Sequence, residues 1–452
     1  MTKGPASLGS AAFRRYHGVR FAYAAGAMAK GIASPELVTR MSRAGFLAWY
    51  GAGGQRHEVI RAAIRRIAES VGPQAPWGVN LLQPIGIPHL EDTIVDLLLA
   101  EGVRSVEAAA YTEMTSSIVR YKVTGLSCGP DGSPVIGNRI VAKVSRLEVA
   151  EAFMRPPRME ILRELVNAGR ITPEVAAIAS RLPIADDICA EADSGGHTDR
   201  RVALVLLPSV KLLAKRIATE HNWPLPPRVG LAGGLGTPSA IAAAFAMGAD
   251  FVVTGSINQC TPEAGTSDGV KELLATVGPQ DIDFAPAGDM FEIGARVQCV
   301  RRGQLFTSRA NRLYEIWRQY DSLDSLPTNL VTQIEQQYLR KTIPEVWAET
   351  EAYYRKAAPE VLASAERVQK QKLAMVFRWY WINANRLAMV GDETRKADWQ
   401  VHSGPAMGAF NEWARGGRFE DWRSRHVDTI ALALMEEAAV ILTELQQMGN
   451  TP

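Results

Sequence analysis

Residues 230–256 read GLAGGLGTPSAIAAAFAMGADFVVTGS. An apolar stretch ends in Gly233-Gly234, and a short turn with Gly236 and Thr237-Pro238 opens a segment of helical character. A second apolar stretch then ends in Thr254-Gly255-Ser256. The pattern predicts strand, helix, strand, with both strands too apolar to be half-exposed. Strands buried on both faces belong to parallel sheets covered by helices.

The same alternation extends outward through most of the chain. Candidate strands are YAAGAM (23–28), FLAWYGA (46–52), WGVNLL (77–82), SVEAAA (105–110), IVAKV (140–144), DICAEA (187–192), RVGLAGG (228–234) and FVVTGS (251–256). Helical periodicity lies between most of them, as in SPELVTRMSRAG (34–45). Eight such strands predict an α/β fold, a (β/α)8 TIM barrel, which needs about 250 residues. A doubly wound open sheet is the competing arrangement.

Two connections exceed a simple crossover. Residues 112–139 contain SCGPDGSPVIGN, rich in turn formers and suited to an irregular excursion or small hairpin. Residues 145–185 read as two or three short helices. After residue 310 the chain carries amphipathic helical patterns and no convincing strand. The expected organisation is therefore a barrel over 1–310, with insertions near 112–139 and 145–185, and a mainly helical region over 311–452.

At 452 residues the chain exceeds a usual single core of about 250–300 residues, in keeping with an appended part. A formal charge of +2 argues against a nucleic-acid partner, which calls for a concentrated basic surface. No apolar run is long enough to span a membrane, and residues 1–18 lack an apolar signal core. Cys128, Cys189, Cys260 and Cys299 are widely spaced, which fits a reducing cytoplasm and gives no metal signature.

The last two strand ends suggest chemistry. Loops after the final strands of a barrel commonly hold a phosphate on bare backbone N–H groups. Gly233, Gly234 and Gly255 would let an oxygen approach the backbone, and Ser256 adds a hydroxyl. The plainer reading is that these glycines only close tight turns. A second corner, EADSGGHTD (191–199), puts His197 beyond the C-terminal end of a predicted strand, where barrel active sites form. Asp193 and Asp199 are the nearby carboxylates that would satisfy a histidine with no catalytic task.

Together, YAAGAM, WGVNLL, AKV, a strand followed by GGH, and the 230–256 stretch resemble the nitronate monooxygenase-like FMN flavoproteins. The longer runs LGSAAFRRYHGVRFAYAAGAMAKGIASPELV (8–38), EADSGGHTD and GPAMGAFNEW (404–413) look like one branch, the PfaD-type trans-acting enoyl reductases of polyunsaturated fatty acid and polyketide assembly lines. The resemblance implies FMN, with NADPH or NADH as hydride donor. It places the backbone of Ala25, Gly26 and Ala27 near the flavin ring, Asn80 and Lys143 in contact with it, and Gly195 and Gly196 alongside it. Gly233, Gly234, Gly255 and Ser256 would hold the FMN phosphate. His197 would face the substrate as general acid, or hold the thioester carbonyl. Where the superfamily often carries glutamine and glycine before GGH, this chain has Ala190 and Glu191, so Glu191 and Asp193 would replace that polar contact or orient His197.

The implied function is reduction of enoyl thioesters on an acyl carrier protein, in the cytoplasm. The alternative is a nitronate monooxygenase, in which the same histidine deprotonates a nitroalkane. A flavin-free assembly partner is a third reading. The aromatic stretches 377–386 and 397–413 are either core or a lid guiding a phosphopantetheine arm, and a homodimer is left open.

Overall fold

A computed structural model describes residues 4–84 and 88–448. Eight parallel strands close into a barrel: β1 (Tyr23–Ala25), β2 (Leu47–Tyr50), β3 (Trp77–Leu82), β4 (Ser105–Ala109), β5 (Arg139–Val144), β6 (Asp187–Glu191), β7 (Arg228–Ala232) and β8 (Val252–Thr254). Each strand pairs with its neighbours in sequence, and β8 closes on β1 through Tyr23↔Val252 to Ala25↔Thr254. The (β/α)8 barrel read from the alternation is the observed fold; seven of the strands lie within the stretches named above, and β5 begins one residue earlier, at Arg139.

Alternate residues of the strands fill the interior. Leu47, Trp49, Val141, Cys189 and Val253 form one buried cluster with Phe13 from the helix Ala11–His17. That helix also buries His17, whose Nε2 lies 2.7 Å from Asp187 Oδ2. Arg228 grips the same carboxylate through Nε at 2.5 Å and Nη2 at 3.0 Å. Asp187 is fully buried, yet His17 and Arg228 outweigh the burial and hold its carboxyl below the usual range.

The long connections resolve into regular elements. After β4 come a helix (Ser116–Val123) and a short hairpin pairing Ser127–Cys128 with Pro134–Val135. After β5 come three helices, Leu147–Met154, Met159–Asn167 and Pro173–Ala179. The described chain packs as two compact units. Of the described residues, the barrel unit comprises 4–84, 88–194, 198–265 and 406–448, and the second comprises 195–197 and 266–405. Helix Val427–Met448 thus belongs to the barrel unit, where it packs on Pro238–Ala246 and Pro35–Arg43.

In the second unit, β9 (Ile282–Pro286) and β10 (Arg296–Val300) run antiparallel, and Gly196–His197 adds to β10 through Val297↔His197. Helices Phe306–Gln319, Ile343–Ala357 and Gln369–Val390 surround an aromatic core. Trp381 stacks on Phe291 with ring centroids 5.0 Å apart. Phe377, Tyr380, Trp381 and Trp399 are buried, so these aromatics of the C-terminal stretches are core residues of this unit. Among the described residues no helix is long and apolar enough to cross a membrane.

Candidate active site

The C-terminal strand ends of the barrel unit gather a charged cluster around buried Glu107. Lys143, at the end of β5, has Nζ 3.4 Å from Glu191 Oε1 on β6 and 3.9 Å from Glu107 Oε2 on β4. These side chains share the barrel interior because residues two apart on a strand face the same way. Glu107 is 1% exposed and accepts the Ala27 N–H at 3.1 Å, tying the turn after β1 to the cluster. Ser194 donates its hydroxyl to Glu191 Oε1 at 3.0 Å.

Lys143 and Glu107 bias each other's protonation, and Glu191 acts on both. Burial pushes the Glu107 carboxyl up, against the pull of Lys143, while Glu191 adds to the rise. Burial works against the Lys143 ammonium, but Glu107 and Glu191 together hold its pKa above the ordinary lysine value. Lys143 is therefore a cation between two carboxylates. Glu107 was read from sequence only as part of the SVEAAA strand; its signal was a lone carboxylate in an otherwise apolar buried run.

Asn80, 5% exposed on β3, accepts the amides of Ala52 and Gly53 at 2.7 and 3.2 Å. Its carbonyl oxygen thus braces the turn after β2. Gly26 lies so close to Val253 Cγ1 and Glu107 Oε1 that a Cβ would stand 2.9 and 3.3 Å from them. Ala25 is fully buried at the end of β1.

The glycine corners separate into two kinds. Gly233 has φ +89°, and a Cβ there would meet the backbone of Ala192 and Asp193 at 2.7–2.9 Å, so it is needed for packing. Gly234 and Gly255 leave open space where a Cβ would stand. Gly255 has φ −132° and ψ −73°, and Ser256 follows it in the first turn of Ser256–Gln259. Beneath this corner, buried Thr254 is bonded to Tyr23 and Asn258.

Gly195, Gly196 and His197 belong to the second unit. His197 Nε2 lies 2.8 Å from Asp289 Oδ1. Asp289 follows β9, 92 residues along the chain, and it rather than Asp199 takes this place. Asp199 accepts from Ser145 and Arg146 instead, and Glu191 is engaged with Lys143. The Asp289 side chain is 63% exposed, and His197, with help from His402, holds its pKa below the usual range. A Cβ on Gly196 would stand 3.9 Å from His402 Nδ1, and His402 bridges to Cys299 on β10. Asp289 and His402 carried no local pattern, since β10 brings them to His197 only through its pairings.

Eight parallel strands with a charged interior at their C-terminal ends and open glycine corners after the last two define a (β/α)8-barrel protein with a candidate site at the strand ends. The enoyl reductase domain of MlnA from the macrolactin biosynthesis cluster of Bacillus amyloliquefaciens matches with a TM-score of 0.94 and 39% identity, covering 98% of this chain and 99% of that one. The polyketide biosynthesis protein ThaF of Burkholderia thailandensis is 47% identical over 96% of this chain, and PksE of Bacillus subtilis 43% over 99%. This chain spans 37% and 58% of the lengths of those two relatives. The family described as acyl-carrier-protein S-malonyltransferase, inserted helical domain, matches residues 320–399. The chain belongs to the PfaD-type enoyl reductase family of polyketide and polyunsaturated fatty acid synthases.

Proposed function

We propose that this protein is an FMN-dependent enoyl reductase that acts in trans, using NADPH or NADH to reduce the α,β double bond of enoyl thioesters carried by an acyl carrier protein. The observation that carries this reading is the full-length likeness to the MlnA enoyl reductase domain. The residues of the barrel unit fit FMN. Open positions at Gly234 and Gly255 form a cradle that a Cβ would fill, which suits a phosphate approaching bare amides. Gly233 holds the turn, and the Ser256 hydroxyl adds a donor.

When bound, FMN supplies the hydride chemistry between nicotinamide and acyl chain. The protein binds, orients and handles the proton. The Ala25–Ala27 backbone, steadied by Glu107, lines the ring site. Asn80 contributes its Nδ2, because its oxygen is committed to the β2 turn. Lys143, with Glu107 and Glu191 beside it, sets the local charge. Gly195 and Gly196 leave the backbone bare next to His197. His197 delivers the proton to the α carbon or holds the thioester carbonyl as enolate charge grows. Asp289 orients the imidazole, in the way a carboxylate orients the histidine of other acid–base pairs.

The test is anaerobic reduction of the purified, FMN-loaded protein by NADPH, followed by a crotonyl thioester. Rapid re-oxidation by the thioester is expected. No response to the thioester, together with nitroalkane oxidation in the presence of oxygen, would reassign the protein as a nitronate monooxygenase. Failure to take up FMN at all would end both.

A further inference from the structure

The helical unit holds a pocket of about 500 Å³ that the barrel chemistry does not use. Four cations line it, Arg340, Lys341, Arg386 and Arg395, against two carboxylates, Glu349 and Asp392. Both carboxylates are already engaged. Glu349 pairs with Lys341 and accepts the Trp379 indole N–H at 2.9 Å. Asp392 accepts the Thr394 amide and hydroxyl at 3.1 and 2.6 Å. Arg395 is fixed by Tyr338 O at 3.0 Å and by Asp398 at 2.8 Å, but buried Asp398 also serves Arg309 and Tyr380. The wall therefore keeps a surplus of positive charge.

The backbone that presents this charge is irregular. Residues Ile334–Leu339 form a π-helical stretch, and Arg340 follows at φ +57°. A left-handed residue without glycine is strained, and π turns tend to mark functional sites. The bend sets Arg340 and Lys341 side by side, opposite Arg386 from the helix Gln369–Val390. Lys341 Nζ also lies 5.6 Å from the Trp379 ring centroid. Leu339, Trp379, Ile382 and Leu387 give the pocket an apolar side. Its volume is that of an organic-ligand site and far exceeds what a bare phosphate fills.

We infer that this pocket binds a phosphate ester with an organic tail, the phosphate on the Arg340–Arg386 side and the tail against Trp379 and Ile382. Two sources share that chemistry, a phosphopantetheine arm and a nucleotide. Calorimetry on the full chain would use 4′-phosphopantetheine, AMP, inorganic phosphate and phosphate-free pantetheine. At least one phosphate ester is expected to bind, with inorganic phosphate and pantetheine much weaker, and the tighter of the two esters identifies the tail. Arg340→Gly should weaken that binding about tenfold or more without lowering Tm, since glycine relieves the left-handed strain. Arg386→Gln should weaken it similarly. If phosphopantetheine also enters the barrel, the component lost in these variants is the one assigned here. Binding unchanged in both variants, or pantetheine binding as well as its phosphate, would overturn the inference, as would no binding by either ester. None of these probes is reduced, so failure of the enoyl reductase reading would leave this test intact.

Discussion

His197 Nε2 and Asp289 Oδ1 stand 2.8 Å apart, joining the Gly-Gly-His corner to a carboxylate 92 residues further on. The contact fixes one ring nitrogen and sets a carboxylate beside the imidazole.

His197→Ala should lower enoyl-thioester turnover by about 10²–10⁴ while NADPH still reduces the bound flavin at the parent rate. Stopped-flow measurement of the two half-reactions checks this, and parental turnover would remove the assigned role. Asp289→Asn should have a smaller effect and move the alkaline limb of the kcat profile to lower pH, because the imidazolium loses its counter-charge.

Gly255→Ala separates the cradle from a mere turn. A Cβ there meets no neighbour, so the apo protein should stay folded, with its Tm measured alongside. FMN affinity, read by fluorescence titration, should fall about tenfold or more if a phosphate sits there. Unchanged affinity would place the phosphate elsewhere.

Lys143→Met leaves Glu107 and Glu191 without the cation between them and should cost about 3–5 kcal/mol in urea unfolding. Glu107→Gln keeps a group for the Ala27 amide and removes one of the facing charges. The double variant should therefore recover part of that loss, a coupling that a double-mutant cycle measures.

The barrel floor predicts an acid dependence. Asp187 titrates below the usual range in the folded protein, so the native state binds this proton less readily than the unfolded chain does. Its stabilisation is present above the ordinary carboxylate pKa of about 3.9 and is lost as pH falls toward the folded value. Asp187→Asn should lower Tm strongly at pH 7 and flatten the Tm profile below about pH 4. An equally steep acid limb in the variant would show that other groups carry the dependence.

Much of this was legible in the sequence. The eight strands could be read because a strand covered on both faces becomes a short apolar run, and the helices between them keep their own period. Gly233, Gly234 and Gly255 stood out because a run of residues without side chains at a strand end is a local signal.

The partners were not legible. Asp289 reaches His197 because β10 pairs with both β9 and the strand of Gly196–His197, and no local period encodes a pairing between chain segments so far apart. Glu107 hid inside a strand whose apolar neighbours set its reading. Helix Val427–Met448 looked like the helices before it, and only its packing on Pro238–Ala246 assigns it to the barrel unit. Sequence alone determined the barrel and its glycine corners, since periodicity and backbone freedom are local properties. Tertiary structure decided which charge meets which, because ion pairs and hydrogen bonds depend on distances that form only when remote segments pack.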